Sequence, residues 1–269
     1  MSEIQLDAYA KLTLSLEVTG RRADGYHELD ALVVSVSEPH DEIVLRPADA
    51  ASITVTGPHA AGVPVDDTNL ALRAAREAGR TVAIELHKGI PPGAGLGGGS
   101  ADAAAVLLGV DAPDPVLIGE RLGADVPFCL TGGATRMRGV GDQLEAVELP
   151  ELWIVIATPP FGCATPDVYR TYDDLTSGYT RAIEMPGVPT LRNDLEEAAQ
   201  VVEPRLATFQ AAVEEAADLP AVMAGSGSSY FVVFRDQAHA EAARARVADA
   251  VDGQVVVGHT VDRGVHVRA

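Results

Sequence analysis

The sequence predicts an α+β protein of two domains, on three observations. Its 269 residues are enough for two domains of ordinary size, each with its own core. Alternating apolar runs of strand type are interleaved with helical segments along the whole chain. A break at Pro150 separates a strand-rich first half, 1–150, from a second half, 151–269, whose elements follow a split βαββαβ order.

The first half opens on residues 7–18, which alternate around Leu12, Leu14, Leu16 and Val18 and carry Lys11; Gly20 ends this strand. Residues 21–28 form a polar turn around Asp24-Gly25, and the apolar run 29–36 beyond it completes a hairpin-like pair. Tyr26 and His27 follow that turn, and spacing alone favours surface turn residues there. Residues 41–45 and 52–56 read as further short strands. Thr68 is placed to cap a helix over 69–78, closed by Gly79.

Residues 81–87 alternate as a strand and 101–108 are an alanine-rich helix. Between them runs Pro91-Pro92-Gly93-Ala94-Gly95-Leu96-Gly97-Gly98-Gly99-Ser100-Ala101. Five glycines within 93–99 let bare backbone approach a ligand, and Ser100 is placed to cap the helix. Unpaired N–H groups and the positive end of the helix dipole then converge on one spot, which suits a phosphate. A flexible linker is the bland alternative, but linkers rarely join a good strand to a good helix.

Three glycine motifs fail here. Gly93, Gly95 and Gly98 have GxGxxG spacing, yet 109–115 is a loop where a dinucleotide fold needs a second strand ending in an acid. Ser100 stands where a Walker A loop has Lys, and Asp102 where the hydrolase elbow has its last Gly. Residues 113–122 are then a short helical segment leading into Gly123-Ala124-Asp125-Val126-Pro127-Phe128. Asp125 is either a helix cap or a carboxylate held in a cleft. Residues 134–137 and 143–149 are strand-like and close the half.

After Pro150 come a strand (153–158), helices (166–173, 193–200 and 205–217), two strands (221–224 and 230–234), a helix (238–251) and a strand (254–259). Allowing for extra helices in the first crossover, this is the ferredoxin-like arrangement. Gly225-Ser226-Gly227-Ser228-Ser229, between its second and third strands, is a second glycine loop that alone reads as a hairpin turn.

Composition narrows the function classes. With 47% hydrophobic residues and no apolar run near the length of a bilayer span, the chain is expected to be soluble and to have no membrane partner. The N-terminus has no basic region before an apolar core, so no secretion signal is expected and cytoplasm is the default location. Cys129 and Cys163 stand alone in apolar surroundings and read as small core residues, while the seven histidines offer no zinc spacing. A net charge of -19 disfavours nucleic acid as a partner. Of twenty basic residues only Lys11 and Lys88 are lysines, which singles out both positions in a background of arginine.

Ala10-Lys11, the segment Gly20-Arg21-Arg22-Ala23-Asp24-Gly25-Tyr26-His27-Glu28-Leu29, the loop from Pro91, Leu122-Gly123-Ala124-Asp125-Val126-Pro127-Phe128, Asn193-Asp194-Leu195-Glu196 and Gly225-Ser226-Gly227 together resemble the GHMP kinase superfamily. The Asp24-Gly25-Tyr26-His27 and Gly123-to-Pro127 motifs resemble its branch acting on 4-diphosphocytidyl-2-C-methyl-D-erythritol, over nearly the whole chain. The resemblance implies a ribosomal-S5-domain-2-like N-terminal half, a ferredoxin-like C-terminal half and an active cleft between them. It also implies ATP and Mg²⁺ as cofactors, and phosphorylation of the cytidyl-diphosphate methylerythritol substrate at its 2-hydroxyl. On the matching positions Asp125 is the base and Lys11 the adjacent ammonium. Pro91 through Ala101 hold the phosphates, Ser100 is within reach of Mg²⁺, and Asn69 and Lys88 lie near the nucleotide. Tyr26 and His27 take the cytosine, with Thr165 and Tyr169 on the substrate side and Tyr169 over the ring's opposite face.

Two places depart from the family pattern. Tyr9-Ala10-Lys11-Leu12-Thr13 stands where Pro-Ala-Lys-x-Asn is usual, so Thr13 offers the substrate a hydroxyl in place of an amide. The segment between Leu108 and Arg121 is shorter than usual. A mevalonate- or homoserine-type kinase would have no use for aromatics at both Tyr26 and Tyr169. A non-catalytic nucleotide sensor would not need Lys11 and Asp125 intact. Monomer and homodimer are both open.

Overall fold

The computed structural model describes residues 2–175 and 180–268. In the first half β1 (Ile4–Arg21) and β2 (His27–Pro47) form one long antiparallel hairpin around the Asp24-Gly25 turn. The strands expected at 29–36 and 41–45 are therefore a single β2. Its interruption is a bulge: Tyr9 faces His40 while Ala10 faces Val36, so residues 37–39 have no counterpart on β1. Pro39 lies in that bulge, where a missing N–H costs the ladder nothing.

β2 is the hub of the sheet. One edge runs along β1, and the other pairs in turn with β5 (Ala134–Gly139), β12 (Gln254–Val261) and β4 (Val82–His87). β3 (Ser52–Thr56) adds to β4 in parallel, and β6 (Gln143–Ala146) adds to β5. Against this sheet lie α1 (Leu70–Glu77), α2 (Gly98–Gly109), α3 (Pro115–Leu122) and α4 (Val126–Thr131). Buried Leu6, Leu12, Ile43, Leu45, Ile84 and Leu86 of the sheet meet Ala103, Ala104 and Leu107 of α2 in one core. The helix can lie close because its inner face is mostly alanine. Between α2 and α3 the short connection turns through positive φ at Asp111 (50°) and Asp114 (90°), a region aspartate tolerates better than most residues.

The second half contains β7 (Trp153–Thr158), α5 (Thr165–Asp174), β8 (Ile183–Met185), β9 (Val188–Asn193), α6 (Glu196–Val202), α7 (Arg205–Ala217), β10 (Val222–Met223), β11 (Tyr230–Phe234), α8 (Gln237–Ala250), β12 and β13 (Val265–Val267). Strands β12-β7-β11-β10 pair antiparallel in that order, the sheet of a ferredoxin-like domain. Its helices cover a second core built on Val155, Val232, Leu206, Val213 and Val247.

Residues 183–193 correct the sequence expectation. They form the β8–β9 hairpin, and the helix expected to begin at 193 starts at Glu196. Pro186-Gly187 makes the turn, with Gly187 at φ 69°, a signal visible in the sequence but passed over. β9 pairs in parallel with β1, β12 pairs with β2, and β13, also unanticipated, returns to β1. The halves on either side of Pro150 thus share continuous hydrogen-bonded sheet. Among the described residues no helix is long and apolar enough to cross a membrane.

Candidate active site

A cleft of about 1080 Å³ is lined by β1, the turn after it, the glycine loop, the Asp125 turn, the start of α5 and the second glycine loop. The glycine loop leads from β4 into α2 as the strand-loop-helix pattern predicts, but the cap is different. Gly97, at φ 66°, holds the N-cap position with no side-chain bond, and the helix starts at Gly98. Ser100 is therefore inside the first turn, its N–H bonded to Gly97 O at 3.0 Å. A glycine cap leaves the first N–H groups of α2 without a side chain over them, open to an anion.

Glycine is required at two points by close approach as well as by φ. A Cβ on Gly95 would lie 2.1 Å from Ala224 O of the second glycine loop, and one on Gly97 would lie 2.6 Å from Lys11 Cγ. The two loops are tied further by the Ser229 N–H, which donates to Ala94 O at 3.1 Å. Gly97→Val is expected to abolish ATP binding while the protein still folds, because the strained turn displaces both loop and Lys11. Calorimetry showing unchanged ATP affinity would make the loop merely structural.

Asp125 occupies the N-cap position of α4 but makes no capping bond with its side chain. Its carboxylate instead meets Lys11 Nζ at 3.2 Å through Oδ1 and 3.1 Å through Oδ2. Of the two readings open from sequence, the structure shows the carboxylate held in a cleft. Lys11 is fixed from β1 and by its own N–H, which donates to Leu96 O at 3.1 Å. Neither side chain is sealed: the exposures are 13% and 31%, so the pair is open to the cleft.

Lys88 and Asn69 line the same cleft, but their polar groups are engaged within the protein. Lys88 Nζ lies between Asp41 and Asp102, 2.8 Å from Asp102 Oδ2, and is 3% exposed. Burial pushes the Lys88 pKa down, but the two carboxylates outweigh it and the net shift is upward; burial holds the Asp102 carboxyl well above its usual range. Asp41 also accepts from Gly89 N and Ile90 N at 2.7 and 2.9 Å, so this cluster fixes the entry to the glycine loop. Asn69, and not Thr68 as expected, caps α1: its Oδ1 accepts from Ala71 N at 2.9 Å while Nδ2 donates to Pro64 O at 2.8 Å. Thr68 turns to Asp66.

At the other end of the cleft His27 stacks on Tyr169, ring centroids 4.9 Å apart and planes at 29°. Burial, with Asp125 adding to it, pushes the Tyr169 hydroxyl up to about 12. Tyr26 stands 68% exposed at the rim, so in this state Tyr169 faces His27 rather than an open slot opposite Tyr26. Thr165 Oγ1 and Ser226 Oγ are 2.7 Å apart, and Thr13 is buried at the floor. The second glycine loop is stapled by Asn193 Nδ2, which donates to Met223 O and Gly225 O at 2.7 Å each. Sequence reading passed over Ser226 and Asp173 as site residues. It also placed Cys163 in the core, whereas Cys163 is partly exposed and donates through Sγ to Ser226 O at 3.2 Å. Cys129 is buried. Among the described residues no group of three His, Cys, Asp or Glu side chains is arranged to hold a metal ion.

Comparison with known proteins identifies the family and the fold. Residues 68–133 match the GHMP kinases N terminal domain and residues 185–253 the GHMP kinases C terminal region. The chain is 43% identical over 266 residues to a protein of Cereibacter sphaeroides (strain ATCC 17029 / ATH 2.4.9) named 4-diphosphocytidyl-2-C-methyl-D-erythritol kinase, covering 92% of this chain and 94% of that one. It is 44% identical over 251 residues to the protein of that name from Paracoccus denitrificans (strain Pd 1222), with 90% of each covered. A crystal structure described as 4-(cytidine 5'-diphospho)-2C-methyl-D-erythritol kinase superimposes with a TM-score of 0.78 at 34% identity, over 95% of this chain and 98% of that one. With identity of this order along almost its whole length and the same fold, the chain belongs to the 4-diphosphocytidyl-2-C-methyl-D-erythritol kinase family of the GHMP kinases.

Proposed function

We infer that the protein transfers the γ-phosphoryl group of ATP to the 2-hydroxyl of 4-diphosphocytidyl-2-C-methyl-D-erythritol. The observation that carries this reading is the Lys11–Asp125 pair, 3.1 Å apart in a cleft with a glycine loop at one end and a stacked aromatic pocket at the other. Phosphoryl transfer asks a protein mainly for positioning and charge stabilisation. Asp125 accepts the hydroxyl proton as the substrate oxygen bonds to the γ-phosphorus and the bond to the β-phosphate oxygen breaks, releasing ADP. Lys11 orients Asp125 and offsets negative charge on the attacking oxygen. The α2 N-terminus and the loop from Pro91 to Ala101 hold the phosphates by backbone N–H groups. Lys88 and Asn69 contribute from behind by fixing loop and helix.

Mg²⁺ fits the residues present. It is commonly held by one or two protein oxygens plus phosphates and water, and here Ser100 brings a hydroxyl to the lining of the cleft in the first turn of α2, beside the loop that would hold the phosphates. When bound, the ion neutralises charge on the transferring phosphates. We also assign residues 1–150 and 151–269 as the two domains, with β13 donated back to the first.

ATP consumption across a panel of cytidyl-diphosphate and free-alcohol acceptors tests the function. Turnover is expected with cytidyl-diphosphate methylerythritol, and a preference for mevalonate or homoserine would overturn the reading. Lys11→Arg is expected to be nearly as inactive as Lys11→Ala, because a planar guanidinium does not fit an ammonium-sized place 3.1 Å from the carboxylate. Activity retained in the arginine variant alone would show that only charge matters.

A further inference from the structure

We propose that Asp173 determines specificity for cytosine by fixing the tautomer of His27; the inference rests on the cytidyl reading above. His27 Nε2 lies 2.7 Å from Asp173 Oδ1, and the other carboxylate oxygen of Asp173 lies 3.1 Å from Arg21 Nη1. A carboxylate facing a guanidinium is an acceptor, so the proton of the short contact sits on Nε2. The imidazole cannot turn freely. Tyr169 stacks on one face at 4.9 Å, Tyr172 meets the ring edge-on at 6.0 Å, and the side chain is only 8% exposed.

That clamp decides what the remaining nitrogen offers. Among the described residues Nδ1 has no hydrogen-bond partner, and it is not one of the atoms sealed from solvent without one. In the neutral ring with its proton on Nε2, Nδ1 is a lone-pair acceptor on a wall of the cleft that His27, Tyr169, Asp173 and Arg21 line together.

An acceptor at that position distinguishes the two common pyrimidines. Cytosine presents an exocyclic amine, a donor, where uracil presents a carbonyl, a second acceptor. The amine can donate to Nδ1, whereas the carbonyl leaves two lone pairs opposed and unpaired, which is the more costly outcome. Asp173 itself need not touch the base. It is a positioning residue that acts through His27, on a helix 146 residues further along the chain.

The experiment compares wild type, Asp173→Ala and Asp173→Asn. It reads KM for the cytidyl-diphosphate substrate, for its uridyl counterpart and for ATP, together with nitrogen-resolved NMR of the His27 ring. The alanine variant is expected to raise the cytidyl KM about tenfold and to narrow the cytidyl-over-uridyl preference by a similar factor, with the change falling on this substrate and not on ATP. Asp173→Asn should restore most of the preference, because an amide carbonyl can still accept from Nε2–H. NMR should show the neutral Nε2–H tautomer in wild type and the asparagine variant, and a mixture in the alanine variant. Discrimination unchanged in Asp173→Ala, an asparagine variant as poor as alanine, or a doubly protonated His27 in wild type would each overturn the inference while leaving the kinase reading standing. A wild type that uses the uridyl compound equally well would overturn the inference and the cytidyl substrate together.

Discussion

Asp125→Asn is expected to bind ATP nearly as tightly as wild type while losing turnover by about 10²- to 10⁴-fold. The amide has the size of the carboxylate and can still accept from Lys11 through its oxygen, so the cleft keeps its shape. What it cannot do is take a proton from the attacking hydroxyl. In the proposed reading the nucleotide is held elsewhere, along the loop and the start of α2, and Asp125 lies on the turn into α4. A loss confined to kcat, with ATP affinity by calorimetry close to wild type, is the result that general-base catalysis requires. Turnover within a few-fold of wild type would remove Asp125 from its role. A parallel loss of ATP affinity would mean that the Lys11–Asp125 pair holds the loop in place, through the Lys11 N–H bond to Leu96 O.

The elements read most closely from sequence are those whose signal is local. β7, β11 and α7 occupy the expected residues because apolar periodicity and length suffice to define a buried strand or an amphipathic helix. The β8–β9 hairpin was missed because its two strands are only three and six residues long and the Pro186-Gly187 turn between them was passed over, and β13 because its three residues are a strand only through β1, distant in sequence. The site divides in the same way. A glycine run between strand and helix announces a phosphate loop by itself, whereas Lys11 meets Asp125 across 114 residues, which no spacing rule reaches. Resemblance to a family supplied that pair. Resemblance also put Tyr169 over one face of a pyrimidine, and in the structure that ring faces His27, held by an aspartate that neither motif nor spacing had marked. Lys88 was singled out by rarity among the basic residues and by resemblance, but only the fold shows that its charge is spent on two buried acids.

Lys88→Met is expected to lower stability by about 3 to 5 kcal/mol, the usual cost of removing one partner from a buried ion pair. Lys88, Asp41 and Asp102 are 3%, 0% and 3% exposed, so the two acids left behind have almost no access to water. Asp102 Oδ1 already lacks a hydrogen-bond partner in the intact cluster, which makes the loss of the ammonium harder to absorb. The pH dependence gives the sign. Burial raises the Asp102 carboxyl well above its usual range even with Lys88 present, and Lys88 acts against that rise. An acid whose folded pKa is raised costs nothing below its unfolded pKa and destabilises progressively as pH climbs through the folded value. The methionine variant should therefore unfold at a denaturant concentration closest to wild type in acid, and fall further behind as the pH is raised towards neutral and beyond. Adding Asp102→Asn to Lys88→Met should recover part of the loss, since one of the stranded charges is gone. A single variant as stable as wild type across this range would show that water reaches the cluster, and that the loop entry at Gly89 and Ile90 is held by Asp41 alone.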